Sequence, residues 1–579
     1  MPRKRNSTAT HISRRTMARF QKKIRRTMAA ADRLSALDDD LLEHILSFAP
    51  AKEAAASAAL SRRWRPLWRC ANALNLDSRP YSSGAGGFHY PDARFDAFFR
   101  DGKAALARRR GTALKRLTVF LKEGAYLTRR GSYYRVHDVE PEHDARVAGL
   151  LADPAAAALE ELRIAGEHAY SGLYIPPLAS LPCATATLRV LELHFCCLQP
   201  PPTSSARLAF PRLTDLSLRD CTYLEGYLQV VIDAATALTR LALVNVTNKP
   251  PKRPDSAEDS YSRPSKPSYL PLCLRCRTVT ALVLVTSVSL EEQQDSRDIG
   301  IQLDMPSLRS FRYKGFPVKL SLTSPAPGLA RVDLDTNRRE RNFYKREPAA
   351  RMLASFSSTK ALKLHITGIE EIVSGDEAIL PTFPNLKLLE IDGNFKYMDI
   401  DAALAVATLL RACPAMSELR LRLNMAYDYD YDRKMQEPAR RSFAQSVERF
   451  SRLASMCSQH HDDVEFGGVS ELPDAFTDNC EFSCQRTSLR KVKLQFKSKE
   501  INCFQVQLAK FLVENAMVLE EMHIEDESQF WPDHLCHKVA RWRADALRRR
   551  NLPDTAGFRV YQLANPAVDP QSKANFVRN

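Results

Sequence analysis

The sequence predicts an α/β chain in which a small N-terminal module of three helices precedes a long, irregular array of repeats, whose strands form a parallel sheet with helices and loops outside it. Three observations predict this. A six-residue pattern, L-x-x-L-x-L, recurs through the body of the chain, whereas a short run near the start places its leucines at helical spacing. The length of 579 residues also exceeds what one ordinary core serves, while an array grows by stacking.

Composition sets the class. A hydrophobic fraction of 44% and a charged fraction of 26% are those of a folded globular chain. The longest apolar stretches, such as Val279 to Val288, run to about ten residues, short of the roughly twenty that cross a bilayer, so no membrane span is expected. Thirteen cysteines, an odd number without a secretory signal, read as reduced thiols and point to the nucleus and/or cytoplasm. The formal charge of +16 is concentrated at the start: no acidic residue precedes Asp32, and residues 1–30 form a basic arm expected to be disordered, with nuclear import as its next reading. Such an arm alone makes nucleic acid an unlikely partner for the body.

From Asp32 to Phe48, the residues Leu34, Leu37, Leu41, Leu42, Ile45, Leu46 and Phe48 share one helical face. Asp38 is placed to cap this helix, Asp39, Asp40 and Glu43 favour its positive end, and Pro50 marks where it stops or turns. A second short helix is predicted from Ala51 to about Leu60. The run Ser61-Arg62-Arg63-Trp64-Arg65-Pro66-Leu67-Trp68 opens a third.

In order and spacing these three segments resemble the F-box of plants, over residues 31–72. The resemblance implies docking onto a Skp-type adaptor and through it a cullin, with Leu34, Leu37, Leu41, Ile45, Leu46, Leu60 and Trp64 divided between adaptor contacts and the module's own packing. Two departures stand out: Asp38 replaces a usual proline, and Ala54 to Ala59 is a run of small residues where bulkier ones are common. Trading a buried branched residue for alanine costs about 2–5 kcal/mol where a cavity remains. The run therefore predicts a thin core and adaptor binding that is weak or required for folding.

Residues 73–113 are expected to form a linker or the start of the body, and residues 114–480 the repeats. Clear copies of the pattern begin at Leu159, Leu188, Leu213, Leu238, Leu386 and Met416, and weaker ones at Leu114, Val279, Leu308, Leu329, Thr359, Leu489 and Leu519. A spacing of mostly 20–30 residues is that of leucine-rich repeats, which stack into a horseshoe with one continuous concave sheet face. Strand alternation buries the leucines and turns the intervening side chains to that face. It predicts Glu192, His194, Asp215, Arg219, Arg312, Glu390, Glu418, Arg420 and Arg422 as candidates to contact a target protein. Both signs alternate along the array, which suits a protein partner better than a phosphate track. Helices are predicted at Tyr227–Thr236, Asp401–Cys413 and Phe504–Glu514, and irregular insertions near 248–268 and 427–474.

Residues 481–530, with Ser488 to Leu494, Phe504 to Ala516 and Val518 to Ile524, are similar to the FBD segment of plant F-box/leucine-rich-repeat proteins. Residues 531–579 hold a basic helix, Arg541 to Arg550, and a tail.

The sequence contains no P-loop, no H-E-x-x-H and no G-x-S-x-G, so a non-catalytic adaptor is expected, with no catalytic residue and no cofactor. Cys273-x-x-Cys276 lacks a partner pair, and Cys457, His460, His461, Cys480 and Cys484 do not fit a standard finger, so no metal is expected either. The expected function is target recognition within a Skp-cullin-F-box ubiquitin ligase, with a ligase-independent interaction scaffold as the alternative.

Overall fold

A computed structural model describes residues 36–82, 91–109, 114–122, 142–167, 173–174, 178, 181, 187–198, 200, 208–224, 226–249, 272–286, 300–315, 318–336, 349–372, 380–396, 400–426, 482–496, 503–526, 532–553 and 557–562. The basic arm, Leu34, the insertion at 427–474 and the final tail lie outside the described residues. The chain divides into two compact units, residues 1–212 and 213–579.

The first unit opens with three helices, α1 (Asp39–Leu46), α2 (Ala51–Ala56, continued by a 3-10 turn at Ser57–Ala59) and α3 (Trp64–Cys70). Asp38 caps α1 by accepting the Leu41 N–H at 2.8 Å, so the residue standing in place of proline supplies a cap of its own. Pro50 stands at the N-terminus of α2. Leu42, Leu46, Ala54, Trp64, Leu67, Trp68 and Ala71 form one buried cluster, with Ala55 and Ala58 packed against it. Of the alanine run, Ala54 is buried in the same cluster as Trp64 and Trp68, Ala55 and Ala58 pack against that cluster, and Ala56 and Ala59 face solvent. Arg63 ties the helices together, its Nε donating to Asp39 Oδ1 at 2.7 Å and its Nη2 to the Leu37 carbonyl at 2.5 Å.

Strands β1 (Ala73–Asp77), β2 (Arg116–Lys122), β3 (Glu161–Glu167) and β4 (Val190–His194) follow, paired in parallel in that order. The sheet begins at Ala73, well before the first recognisable repeat at Leu114. The helical module covers its first edge: Pro50 bridges to Asn75, whose side-chain amide donates to the Ser47 carbonyl at 2.9 Å and the Ala49 carbonyl at 3.1 Å. Covering an edge in this way removes a row of open backbone groups from pairing with other chains.

The second unit continues the same logic in eleven described strands: β5 (Asp215–Arg219), β6 (Arg240–Val244), β7 (Ala281–Val285), β8 (Ser310–Lys314), β9 (Arg331–Asp335), β10 (Ala361–Gly368), β11 (Leu388–Lys396), β12 (Glu418–Ala426), β13 (Lys491–Phe496), β14 (Glu521–Asp526) and β15 (Arg559–Gln562). Each pairs in parallel with the next. Every one of the thirteen predicted copies enters a strand, and the leucine-type positions within them, such as Leu216, Leu218, Leu241 and Leu243, are buried. Helices run at Tyr227–Ala234, Ile400–Ala412, Cys503–Asn515 and Pro532–Arg549. A second parallel sheet of Leu272–Arg275, Gly300–Asp304 and Lys319–Leu322 lies in the connections, and Thr247–Lys249 pairs with Thr222–Leu224, so the insertion expected from Asn248 begins as a strand.

The chain turns sharply where the face strands end. Asp220 and Asn245 there take positive φ of 50° and 52°, the left-handed region that asparagine and aspartate tolerate best, and the Asn245 amide donates to Asp220 Oδ1 at 2.8 Å. Their backbone N–H groups, with those of Thr286, Gly315 and Thr336, each donate to a carbonyl of the next strand at 2.7–2.9 Å. This row needs a glycine at one rung: a Cβ on Gly315 would sit 2.1 Å from Thr286 Oγ1 and 2.8 Å from the Tyr313 hydroxyl. Gly315→Ala is expected to destabilise by about 1–3 kcal/mol. Thr286→Ala in the same chain should restore part of it, measured by urea denaturation; an additive double variant would contradict the clash.

Candidate adaptor-docking surface and charged sheet face

The helical module sorts its predicted site residues into two groups. Leu46 and Trp64 are 5% and 8% exposed and belong to the core, and Leu37 is packed against it, so these three hold the module together. Leu41, Ile45 and Leu60 instead remain 48%, 43% and 70% exposed. Phe48, which the sequence placed on the helix face without assigning it to the adaptor, is 65% exposed, with its ring edge-on to His44 and 5.6 Å from the Arg116 guanidinium. Leu41 and Ile45 fall at i and i+4 on one stripe of α1, and Phe48 follows in the turn just past the end of that helix. The module therefore buries one apolar stripe and presents another to solvent.

On the sheet, alternation turns the predicted target residues to the polar face, and most of them meet a charge of opposite sign on the neighbouring strand. Glu192 lies 3.3 Å from Arg163 of β3, and Asp215 accepts from Arg240 of β6. Arg312 lies 3.5 Å from Asp333, and Lys314 lies 2.9 Å from Asp335. Glu390 is held between Lys363 at 2.5 Å and Arg420 at 3.7 Å, while Arg420 also reaches Glu418 at 2.6 Å. Arg422 donates to Asp392 at 3.1 Å and to Gln495 at 2.6 Å. His194 packs its ring on Phe195 at 4.4 Å, and Arg219 is exposed at the end of β5. The array thus neutralises much of its own face, strand by strand, because residues in register on parallel strands are direct neighbours.

The network perturbs acidity. Burial pushes the Glu390 carboxyl up, but the Lys363 hydrogen bond and the positive charges of Lys363, Arg420 and Arg422 outweigh it and hold the group below the usual carboxylate range. A carboxylate whose folded pKa is depressed contributes stability that is present above its unfolded value, near 4.5, and lost as pH falls through the folded value. Glu390→Gln should therefore lower stability at neutral pH by about 1 kcal/mol or less. The gap between variant and wild type should close as pH falls below the unfolded value; a gap that widens on acidification would contradict the pairing.

Cys273 Sγ meets Gln302 Oε1 at 3.5 Å while Cys276 Sγ meets Thr278 Oγ1 at 3.4 Å, so the C-x-x-C thiols have separate partners. Among the described residues no group of three or more potential metal ligands occurs; Cys457, His460, His461 and Cys480 lie outside them. Burial pushes the Cys484 thiol up to about 11, and Cys413 is raised by the same cause, so both behave as core residues rather than nucleophiles. No described helix is long and apolar enough to cross a membrane.

Two family models match the chain: the F-box domain over residues 34–72, and "FBD-associated F-box protein At5g56370, LRR repeats" over residues 147–260. The chain is 27% identical over 400 residues to MEIOTIC F-BOX protein MOF of Oryza sativa subsp. japonica, covering 67% of this chain and 71% of that one. It is 48% identical over 56 residues to Putative FBD-associated F-box protein At3g12840 and 38% identical over 92 residues to Putative F-box/LRR-repeat protein At5g41840, both of Arabidopsis thaliana. These two matches cover 10% and 16% of this chain, and 30% and 17% of the relatives. The chain thus carries an F-box domain, closed around two tryptophans, and leucine-rich repeats of the FBD-associated type, and its homologues are plant F-box/FBD/LRR proteins.

Proposed function

We propose that this chain is the substrate-recognition subunit of a Skp-cullin-F-box type E3 ubiquitin ligase, docking a Skp-type adaptor through its F-box and a target protein through the polar sheet face. The observation that carries this reading is the exposure of Leu41, Ile45, Phe48 and Leu60 on a module whose core is built from other residues. Solvent-facing apolar residues grouped on one small module mark an interaction surface. In this role the chain contributes no bond chemistry: cullin-bound subunits transfer ubiquitin, and the chain raises the local concentration of the target. Nucleus and cytoplasm both suit it, as its described cysteines are free thiols. The internally paired sheet face supports a protein target over a nucleic acid, which would call for unpaired cations along a track.

The test is co-purification from cells expressing the chain with a Skp-type adaptor. Leu41→Asp with Ile45→Asp should lower adaptor recovery by about a hundredfold, as loss of two central apolar anchors does. Both sites face solvent, so the variant should keep the wild-type circular dichroism spectrum and melting midpoint. Equal recovery with the two chains would refute the reading.

A further inference from the structure

The self-neutralising pattern of the sheet face is interrupted at β6 and β7. Beyond Arg240, which is paired with Asp215, strands β6 and β7 present Ala242, Val244, Ala281, Val283 and Val285 to the polar side, all partly exposed, where neighbouring strands carry charge. Reading across the strands in register, Val244 and Val285 lie between Arg219 of β5 and Lys314 of β8. The row one pair nearer the strand starts runs Ser217, Ala242, Val283 and Arg312. Cations therefore flank a patch of small apolar side chains on both sides. The acids that pair with β8, Asp333 and Asp335, stand on its far side, in β9.

Resting on the reading of this face as the target surface, we propose that β6 and β7 seat an apolar side chain of an extended target segment that carries a carboxylate two residues to either side. Charge and spacing both select that chemistry. From Arg219 to Lys314 is three strand steps, roughly 14 Å, and four residues of extended chain span about 13 Å. An acid-x-apolar-x-acid segment laid across the strands thus sets its central side chain over Val244 and Val285 and brings its two carboxylates to the two cations. A basic segment would meet like charge at both ends, which disfavours wrong partners strongly.

The probe is a random peptide library displayed on phage and selected on the purified full-length chain, with circular dichroism and melting curves confirming each variant's fold. Peptides enriched on the wild type should share an apolar residue with Asp or Glu two positions away on both sides. The charge-reversed variant Arg219→Glu, Lys314→Glu should bind those peptides about tenfold or more weakly, and selection on it should enrich Lys or Arg at the same positions. Val283→Lys should weaken both sets, and Arg277→Glu, an exposed charge change off the face, should weaken neither. Enrichment without acid bias, an unchanged peptide set on the charge-reversed variant, or no enrichment at all would overturn the proposal. Adaptor co-purification reads the ligase role separately, since it depends on the F-box stripe alone.

Discussion

Replacing Arg109 by alanine is expected to destabilise the F-box and the first strands together by about 3–5 kcal/mol, the cost of removing one side of a buried, charge-assisted contact. Arg109 follows the helix at Pro91–Ala107 and is 3% exposed. Its guanidinium donates to the carbonyls of Trp68 and Ala71, at the C-terminal end of α3, and lies 5.9 Å from the Trp68 ring. A helix end carries partial negative charge and carbonyls that the helix itself does not satisfy, so one fork of donors answers both needs. Burial lowers the Arg109 pKa to about 10, which leaves it charged at neutral pH. Alanine would strand the carbonyls in the core, and lysine would keep the charge but lose the planar fork. Fluorescence of the buried Trp64 and Trp68 during urea denaturation should report an earlier transition for Arg109→Ala, with Arg109→Lys between the two. Adaptor recovery should fall as well, although no exposed residue of α1 has changed. A midpoint equal to wild type would show that α3 closes without this contact.

The body of the fold was legible because its signal is local. A buried leucine at two alternate positions, with another three residues upstream, marks each face strand, and even the degenerate copies at Val279, Leu329 and Thr359 open with a buried residue. The outermost strands escaped because neither has a leucine at that upstream position: it is the buried Ala71 before β1, which reads Ala-Leu-Asn-Leu-Asp, and Gly557 before β15, which reads only Arg-Val-Tyr-Gln. The second small sheet escaped because short polar strands in connections resemble loops. Composition marked the alanine run, but which of its residues join the cluster of Trp64 and Trp68 depends on how three helices meet, which no single segment encodes. The site shows the same division. Alternation placed the charges on the right face, yet their pairing follows from the register between strands 20 or more residues apart. Arg219 looked equivalent to Arg312 in sequence and differs from it only through its neighbours.

Arg543 shows the same limit at the other end of the second unit, and its replacement by alanine is the second large effect expected. Within a stretch that looks like a basic surface helix, Arg543 is 2% exposed. It donates to the carbonyls of Val513 at 3.1 Å, Ala516 at 2.7 Å and Met517 at 2.8 Å, where the helix Cys503–Asn515 ends. Arg549 reaches Glu514 at 2.9 Å and Arg550 reaches Asn515 Oδ1 at 3.0 Å, so much of the positive charge is committed to this one helix end rather than offered to a polyanion. Beyond the helix, β15 pairs with β14 in four register positions only, too short a strand to hold by itself. Loss of the Arg543 contact should cost about 3 kcal/mol or more and release the helix and β15 as one cooperative piece. Hydrogen exchange should then accelerate across 532–553 and 557–562 in Arg543→Ala while β5 to β9 keep their protection. Acceleration confined to the helix would mean that β15 is held by its pairing with β14 and by the stack of Tyr561 on His523, 4.8 Å between ring centres, and that Arg543 serves the helix alone.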